Sequence, residues 1–262
     1  MLKFYSHLFK LILFWLLFFL IQRIIFLGYN YHALSGVDFS DLLLLNWFAL
    51  RYDAAAMGYL TILPFILLII HAVKPFKIIS KTLFIFNAAF IIVCSFINVV
   101  DIALFESWGS KINSKALGYL SYPDEVITSA KSTPIIALIT CLLLQVILGI
   151  FILKKIYKHA PEFNIGVKKA ILAAFITLPL FIIVLRGGLQ RKPINKNWGY
   201  FSHHSVVNYA SINGPWNLLY DLMHPVSYFN NPYNFFPLAE AKTIVAKSHE
   251  FTPAETTKIL ST

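Results

Sequence analysis

Charge is scarce in this chain. Only 13% of its 262 residues are Asp, Glu, Lys or Arg, against about a quarter in soluble domains. Together with a mean hydropathy of +0.69, that deficit excludes an ordinary soluble core. Cysteine is scarce too. Cys94 and Cys141 each sit inside an apolar run with no CxxC spacing, which excludes a disulfide framework and leaves both as packing residues. No P-loop and no GxGxxG occurs, and there is no internal repeat or low-complexity tract. The net charge of +10 does not point to nucleic acid, because the lysines cluster beside apolar runs and not along one basic face.

What the chain does have is long apolar sequence. Five runs stand out, at residues 8–27, 54–73, 83–100, 134–153 and 170–185, and ~17–25 such residues suit a hydrocarbon slab of ~30 Å. The fifth is short, but Lys169 and Arg186 can extend their aliphatic stems to the two interfaces. Pro64 and Pro179 fall inside runs, where neighbouring helices can satisfy the freed backbone, so kinks are expected and not breaks. Lysines precede the first run, yet no small-residue cleavage site follows it, so it reads as a retained span and not a signal peptide.

Basic residues set the orientation. Lys3, Lys10, Lys74, Lys77, Lys81, Lys154, Lys155, Lys158, Lys168 and Lys169 fall on one side. Arg51, Lys111, Lys115 and Lys131 fall on the other. This bias of ten against four alternates with every crossing and predicts a cytoplasmic N-terminus and an extracytoplasmic C-terminus. The expected fold is all-α and integral to the membrane: a bundle of five transmembrane helices (residues 1–186) with interfacial helices, then an external C-terminal linker (187–262). The expected location is the cytoplasmic (inner) membrane, crossed several times.

The connecting segments carry their own signals. Residues 38–52 (DFSDLLLLNWFALRY) are too short to span and read as an interfacial helix leading into the second run. Residues 106–131 hold Trp108, Tyr119 and Tyr122, suited to headgroup depth, and Pro123-Asp-Glu opens a short helix. Thr133-Pro134 reads as a cap followed by an N1 proline. Residues 195–236 are rich in Asn, Pro and aromatics and read as an irregular segment along the membrane surface. Residues 237–248 show helical spacing, with Leu238, Ala241, Ile244 and Val245 on one face. Thr252-Pro-Ala-Glu255 has the form of a capping box.

Ionisable residues at membrane depth are costly and mark function by default. Arg23, Arg51, Asp53, Asp101, Glu106 and Arg186 all fall near the outer ends of the runs. Asn87, Cys94, Asn98 and Asp101 share a helical stripe that should face the bundle. One reading is an outer-leaflet site for an anionic phospholipid headgroup, with arginines on phosphate, at Arg51, Asp53, Asp101, Glu106, Arg186 and Arg191. The competing reading is snorkelling side chains and structural ion pairs. His203-His204 has no carboxylate or cysteine at ligand spacing and reads as a structural pair, so no metal is expected on this chain.

Several stretches resemble a known family. Leu50-Arg-Tyr-Asp53 before an apolar run is similar to the approach to the second helix in bacterial lipoteichoic-acid-synthase-like proteins. Asn98-Val-Val-Asp101, Glu106-Ser-Trp-Gly109, Lys111-Ile-Asn113 and Ala116-Leu-Gly-Tyr-Leu120 resemble their third-helix exit. Arg186-Gly-Gly-Leu-Gln190, Pro193-Ile-Asn195, Tyr200-Phe201-Ser202, Asn208-Tyr-Ala210 and Asn213-Gly-Pro-Trp-Asn217 resemble the link after their fifth helix. The resemblance implies that five helices anchor an extracellular domain of the sulfatase and alkaline-phosphatase superfamily. That domain uses a threonine nucleophile and a divalent metal, typically manganese, to move a phosphoglycerol-type group from a lipid donor. Its first strand would follow Thr262, so no nucleophile or metal ligand carries over to this chain.

The expected role is therefore a membrane anchor that presents a lipid substrate to a sulfatase-like transferase or hydrolase at the outer membrane face. The expected partners are membrane lipids and that catalytic domain. A non-catalytic membrane scaffold or lipid-handling protein remains the alternative. The absence of inverted-repeat symmetry and of paired broken helices argues against a secondary transporter.

Overall fold

The computed structural model describes residues 1–119, 121–122, 124, 133–157, 164–224 and 235–248. Among them there is no strand, and the regular elements are all helical. Five helices are long and apolar enough to cross a membrane: α1 (Leu2–Tyr29), α2 (Phe39–Val73), α3 (Lys77–Trp108), α5 (Ile135–Ile156) and α6 (Gly166–Leu185). Shorter helices are α4 (Ser114–Tyr119), α7 (Ser205–Ser211), α8 (Gly214–Met223) and α9 (Leu238–Ser248). Short 3-10 turns cover Tyr31–Leu34 and Lys196–Gly199. The chain divides into two compact units, Met1–Pro225 and Val226–Thr262. The first unit holds the five long helices together with α7 and α8, which follow α6.

Helices α1, α2 and α3 form the centre. Phe4, Leu11, Trp15, Phe18 and Phe26 of α1 are essentially inaccessible, and they meet Tyr52, Ala55 and Phe65 of α2 and Leu83, Ile91 and Ile102 of α3 across the core. Helix α5 packs on α3 and α1, and α6 on α2. Both are peripheral. Only Gln145, Gly149 and Leu153 of α5 are buried, while Ile136 and Phe175 on the outward faces of α5 and α6 are 84% and 77% exposed. Gly149 sets the closeness of α5, since a Cβ there would lie 2.8 Å from Ile91 and 2.9 Å from Phe18. Small residues at such contacts let apolar helices approach where no hydrophobic driving force separates lipid from protein.

Polar side chains pin the core at intervals. The Trp15 indole N–H donates to Asn87 Oδ1 at 3.0 Å, and Gln22 Nε2 donates to Gln145 Oε1 at 3.1 Å. Each such interhelical bond contributes about 0.6 kcal/mol on average. The expected stripe of Asn87, Cys94, Asn98 and Asp101 does face inward, with all four buried. Cys94 and Cys141 are free thiols.

Three expectations are corrected. Residues 38–52 do not form a separate interfacial helix. Nothing in Leu42–Tyr52 breaks the backbone ladder, so α2 runs unbroken for 35 residues, about 52 Å at 1.5 Å per residue, and its first turns extend beyond any apolar slab. Pro134 is not at N1: with ψ 76° it occupies the N-cap of α5, and the Ile135 N–H donates to the Thr133 carbonyl at 2.8 Å. In residues 195–236 the described part, up to residue 224, is not irregular throughout. It contains α7 and α8, whose Val206, Val207, Ala210 and Trp216 are buried against α1, α2 and α3. Helix α9 matches the expected helix. Pro123-Asp-Glu and Thr252-Pro-Ala-Glu255 lie largely or wholly outside the described residues.

The reversal after α6 explains how the tail returns. The Gly187 N–H donates to the Val184 carbonyl and the Gly188 N–H to the Ile183 carbonyl, both at 2.9 Å. This paired termination needs a left-handed residue at the first glycine, and Gly187 has φ +79°. Ile194 then packs on Gly187, and its N–H donates to the Arg186 carbonyl at 3.0 Å.

Candidate functional site

Where α1 and α3 end and α2 enters the bundle, four charged side chains are buried together. Arg23 Nη2 lies 2.5 Å from Asp53 Oδ2, and both side chains are 6% exposed. Arg23 Nε donates to the Ala210 carbonyl at 3.1 Å. The other Asp53 oxygen accepts from Asn213 Nδ2 at 2.9 Å. Asn213 does two jobs, because its Oδ1 also accepts from the Trp216 N–H at 3.1 Å and caps α8, with a proline in the first turn behind it.

The second pair lies beside the first. Lys111 Nζ donates to the Ile212 carbonyl at 2.6 Å and sits 3.5 Å from Asp101 Oδ2. Its ammonium also lies 4.9 Å from the Phe26 ring centre. Asp101 Oδ1 accepts from the Ile112 N–H at 2.9 Å, and Asn217 Nδ2 donates to the Ile112 carbonyl at 2.6 Å. Burial lowers the Lys111 ammonium from the usual lysine range, and the Asp101 carboxylate opposes that shift. Gly214 is required at the junction, since a Cβ there would come within 2.5 Å of Asp101 Oδ2.

These contacts form a latch. Two cations face two carboxylates, so the group is close to neutral as a whole. The space between Arg23, Asp53, Asn98, Lys111 and Asn213 is about 10 Å³, room for at most a single water. No headgroup fits inside it. Around it the tail is tied down again: the Tyr52 hydroxyl donates to the Asn195 carbonyl at 2.7 Å and Phe201 stacks on Phe48 at 4.5 Å, while Lys196 and Asp221 pair at 2.5 Å within the tail itself. Ser202 Oγ donates to the Asp41 carboxylate.

The six residues singled out from sequence are therefore dispersed. Asp53 and Asp101 are inside the latch. Arg51 is half-buried beside it, its guanidinium 4.7 Å over the Trp198 ring, with no ion pair among the described residues. Glu106 accepts from the Tyr29 hydroxyl at 3.2 Å on an exposed face. Arg186 folds back to the carbonyls of Gln190 and Arg191 and organises the turn after α6, and Arg191 is exposed. Sequence reasoning missed Lys111, Asn213 and Asn217 as partners. The Asn-Gly-Pro-Trp run of a capped helix was the available signal for Asn213.

Among the described residues no group of three or more His, Cys, Asp or Glu side chains could hold a metal ion. Comparison with family models finds no match, and neither known proteins nor solved structures show a significant similarity to this chain.

Proposed function

We propose that this chain is the multi-pass membrane domain of a sulfatase-like phosphoglycerol-type transferase or hydrolase, with its N-terminus in the cytoplasm and the latch at the outer face of the cytoplasmic membrane. The observation that carries this reading is the latch. The segment after α6, which resembles the link to a catalytic domain, is bound into the bundle by hydrogen bonds from the ion-paired Arg23 and Lys111 to the Ala210 and Ile212 carbonyls and by Asn213 and Asn217. A link fixed in this way sets the outer end of the bundle as a rigid base. An enzyme domain held on it works at the membrane surface, where tethering raises the effective concentration of a lipid donor without new contacts to it.

In this reading the exposed and half-exposed arginines meet the headgroup. Stacking on Trp198 fixes the Arg51 guanidinium and leaves its edge N–H groups for a phosphate. Arg186 and Arg191 add positive charge beside the turn after α6. Asp53 and Asp101 act on shape and not on the lipid.

The test uses the intact protein with its catalytic domain. Arg51→Ala should lower turnover of a lipid phosphodiester several-fold while leaving a small soluble ester unaffected. Equal loss on both substrates would indicate misfolding, and unchanged lipid turnover would remove the presenting role. A non-catalytic scaffold or lipid-handling protein is the second reading. Its specific support is that the latch is neutral and closed to a headgroup, which also suits a purely structural clamp. A native polypeptide with no sulfatase-like domain, fused or associated, decides for that alternative.

A further inference from the structure

The end of the bundle opposite the latch holds a different kind of site. Between the start of α3 and the end of α5 lies a cavity of about 280 Å³, lined by Ser80, Lys81, Phe84, Lys154 and Tyr157. Lys81 and Lys154 are exposed and make no ion pair among the described residues. Ser80 Oγ is buried and has no hydrogen-bond partner there. The back wall is rigid: the Tyr157 oxygen accepts from Asn87 Nδ2 at 3.4 Å, and its ring stands edge-on to Phe84 at 6.1 Å. Two ammonium groups and an unused hydroxyl around a preformed hollow suit a phosphate.

One turn toward the middle of the helices the surface becomes apolar. Ile85 follows Lys81 on α3, Phe151 precedes Lys154 on α5, and both are more than half exposed. Lys155 covers the Phe151 ring at 4.5 Å. A free phosphate has no use for that flank, whereas a lipid lays its chains on it.

From this geometry we infer that the cavity between α3 and α5 binds the phosphate headgroup of an anionic lipid in the leaflet on the lysine-rich side. Basic hollows between membrane helices are a recurring means of anionic-lipid recognition. The site is separate from the outer-face role proposed above. It depends only on the helices lying in a bilayer.

The test is native mass spectrometry of the detergent-solubilised protein titrated with phosphatidic acid, with phosphatidylcholine, or with inorganic phosphate. Phosphatidic acid should bind in preference to phosphatidylcholine. The double variant Lys81→Ala/Lys154→Ala should weaken it by about five-fold for each lysine removed. Lys168→Ala/Lys169→Ala removes the same charge at the same end and should leave binding unchanged. Equal weakening by the two double variants would overturn the site in favour of a diffuse basic surface. Displacement of the lipid by equimolar inorganic phosphate would overturn the lipid assignment. Extraction of the protein from membranes by alkaline carbonate would instead overturn the bilayer reading, so the two failures are distinguishable.

Discussion

At the latch end, Arg23, Asp53, Asp101 and Lys111 are all less than a tenth exposed, and each cation has a carboxylate partner. At the opposite end, Lys3, Lys10, Lys81 and Lys154 are exposed and make no ion pair among the described residues. The latch spends its charges on holding the chain together: one ion pair joins α1 to α2, the other ties the turn after α3 back onto α3, and both cations also hold carbonyls of the tail. The lysine-rich end keeps its charges available for whatever lies outside. Equal numbers of opposite charges packed without space make a clamp, and like charges around a hollow make a binding surface.

The largest effect should come from breaking the clamp on one side only. Asp53→Ala strands the Arg23 guanidinium in a dry site and should lower stability by about 3–5 kcal/mol, read as a fall in the thermal unfolding midpoint in detergent. Replacing both partners, as Arg23→Met with Asp53→Leu, should recover most of that loss. If the single and double variants were equally damaged, the pair would not be the clamp described.

A smaller effect is expected at the joint between latch and tail. Asn213→Ala removes both the cap of α8 and a hydrogen bond to Asp53, and should cost about 1–2 kcal/mol. Limited proteolysis should then cut preferentially between α7 and α9 while the five long helices stay protected. The smallest effect belongs to the other end. Lys81→Ala should change stability in lipid-free detergent by no more than about 0.5 kcal/mol. A large loss there would erase the contrast between the two ends.

Much of this was legible in the chain. The five apolar runs are the five long helices, because hydrophobic length is a local property. The inward stripe of Asn87, Cys94, Asn98 and Asp101 was legible because helical spacing alone places those residues on one face. The Arg-Gly-Gly exit from α6 also announced itself, since only glycine adopts its left-handed turn without strain.

The continuity of α2 was not legible. A charged and aromatic stretch next to an apolar run reads equally well as a separate interfacial helix, and only the unbroken backbone ladder decides. The course of the tail was hidden for a different reason. Its Asn, Pro and aromatic content reads as irregular until Val206, Val207 and Trp216 are seen buried in the bundle.

The sequence by itself determined the helical class, the number of apolar spans, the lysine asymmetry between the two ends and the inward face of α3. All of these follow from composition and spacing within a single helix. The tertiary structure alone decided that Asp53 answers Arg23 and not its neighbour Arg51, that Lys111 is buried against Asp101, and that the tail closes the bundle. Those contacts join residues up to 187 positions apart. They depend on which helix faces meet and on how little space is left between them, and neither is written in local spacing.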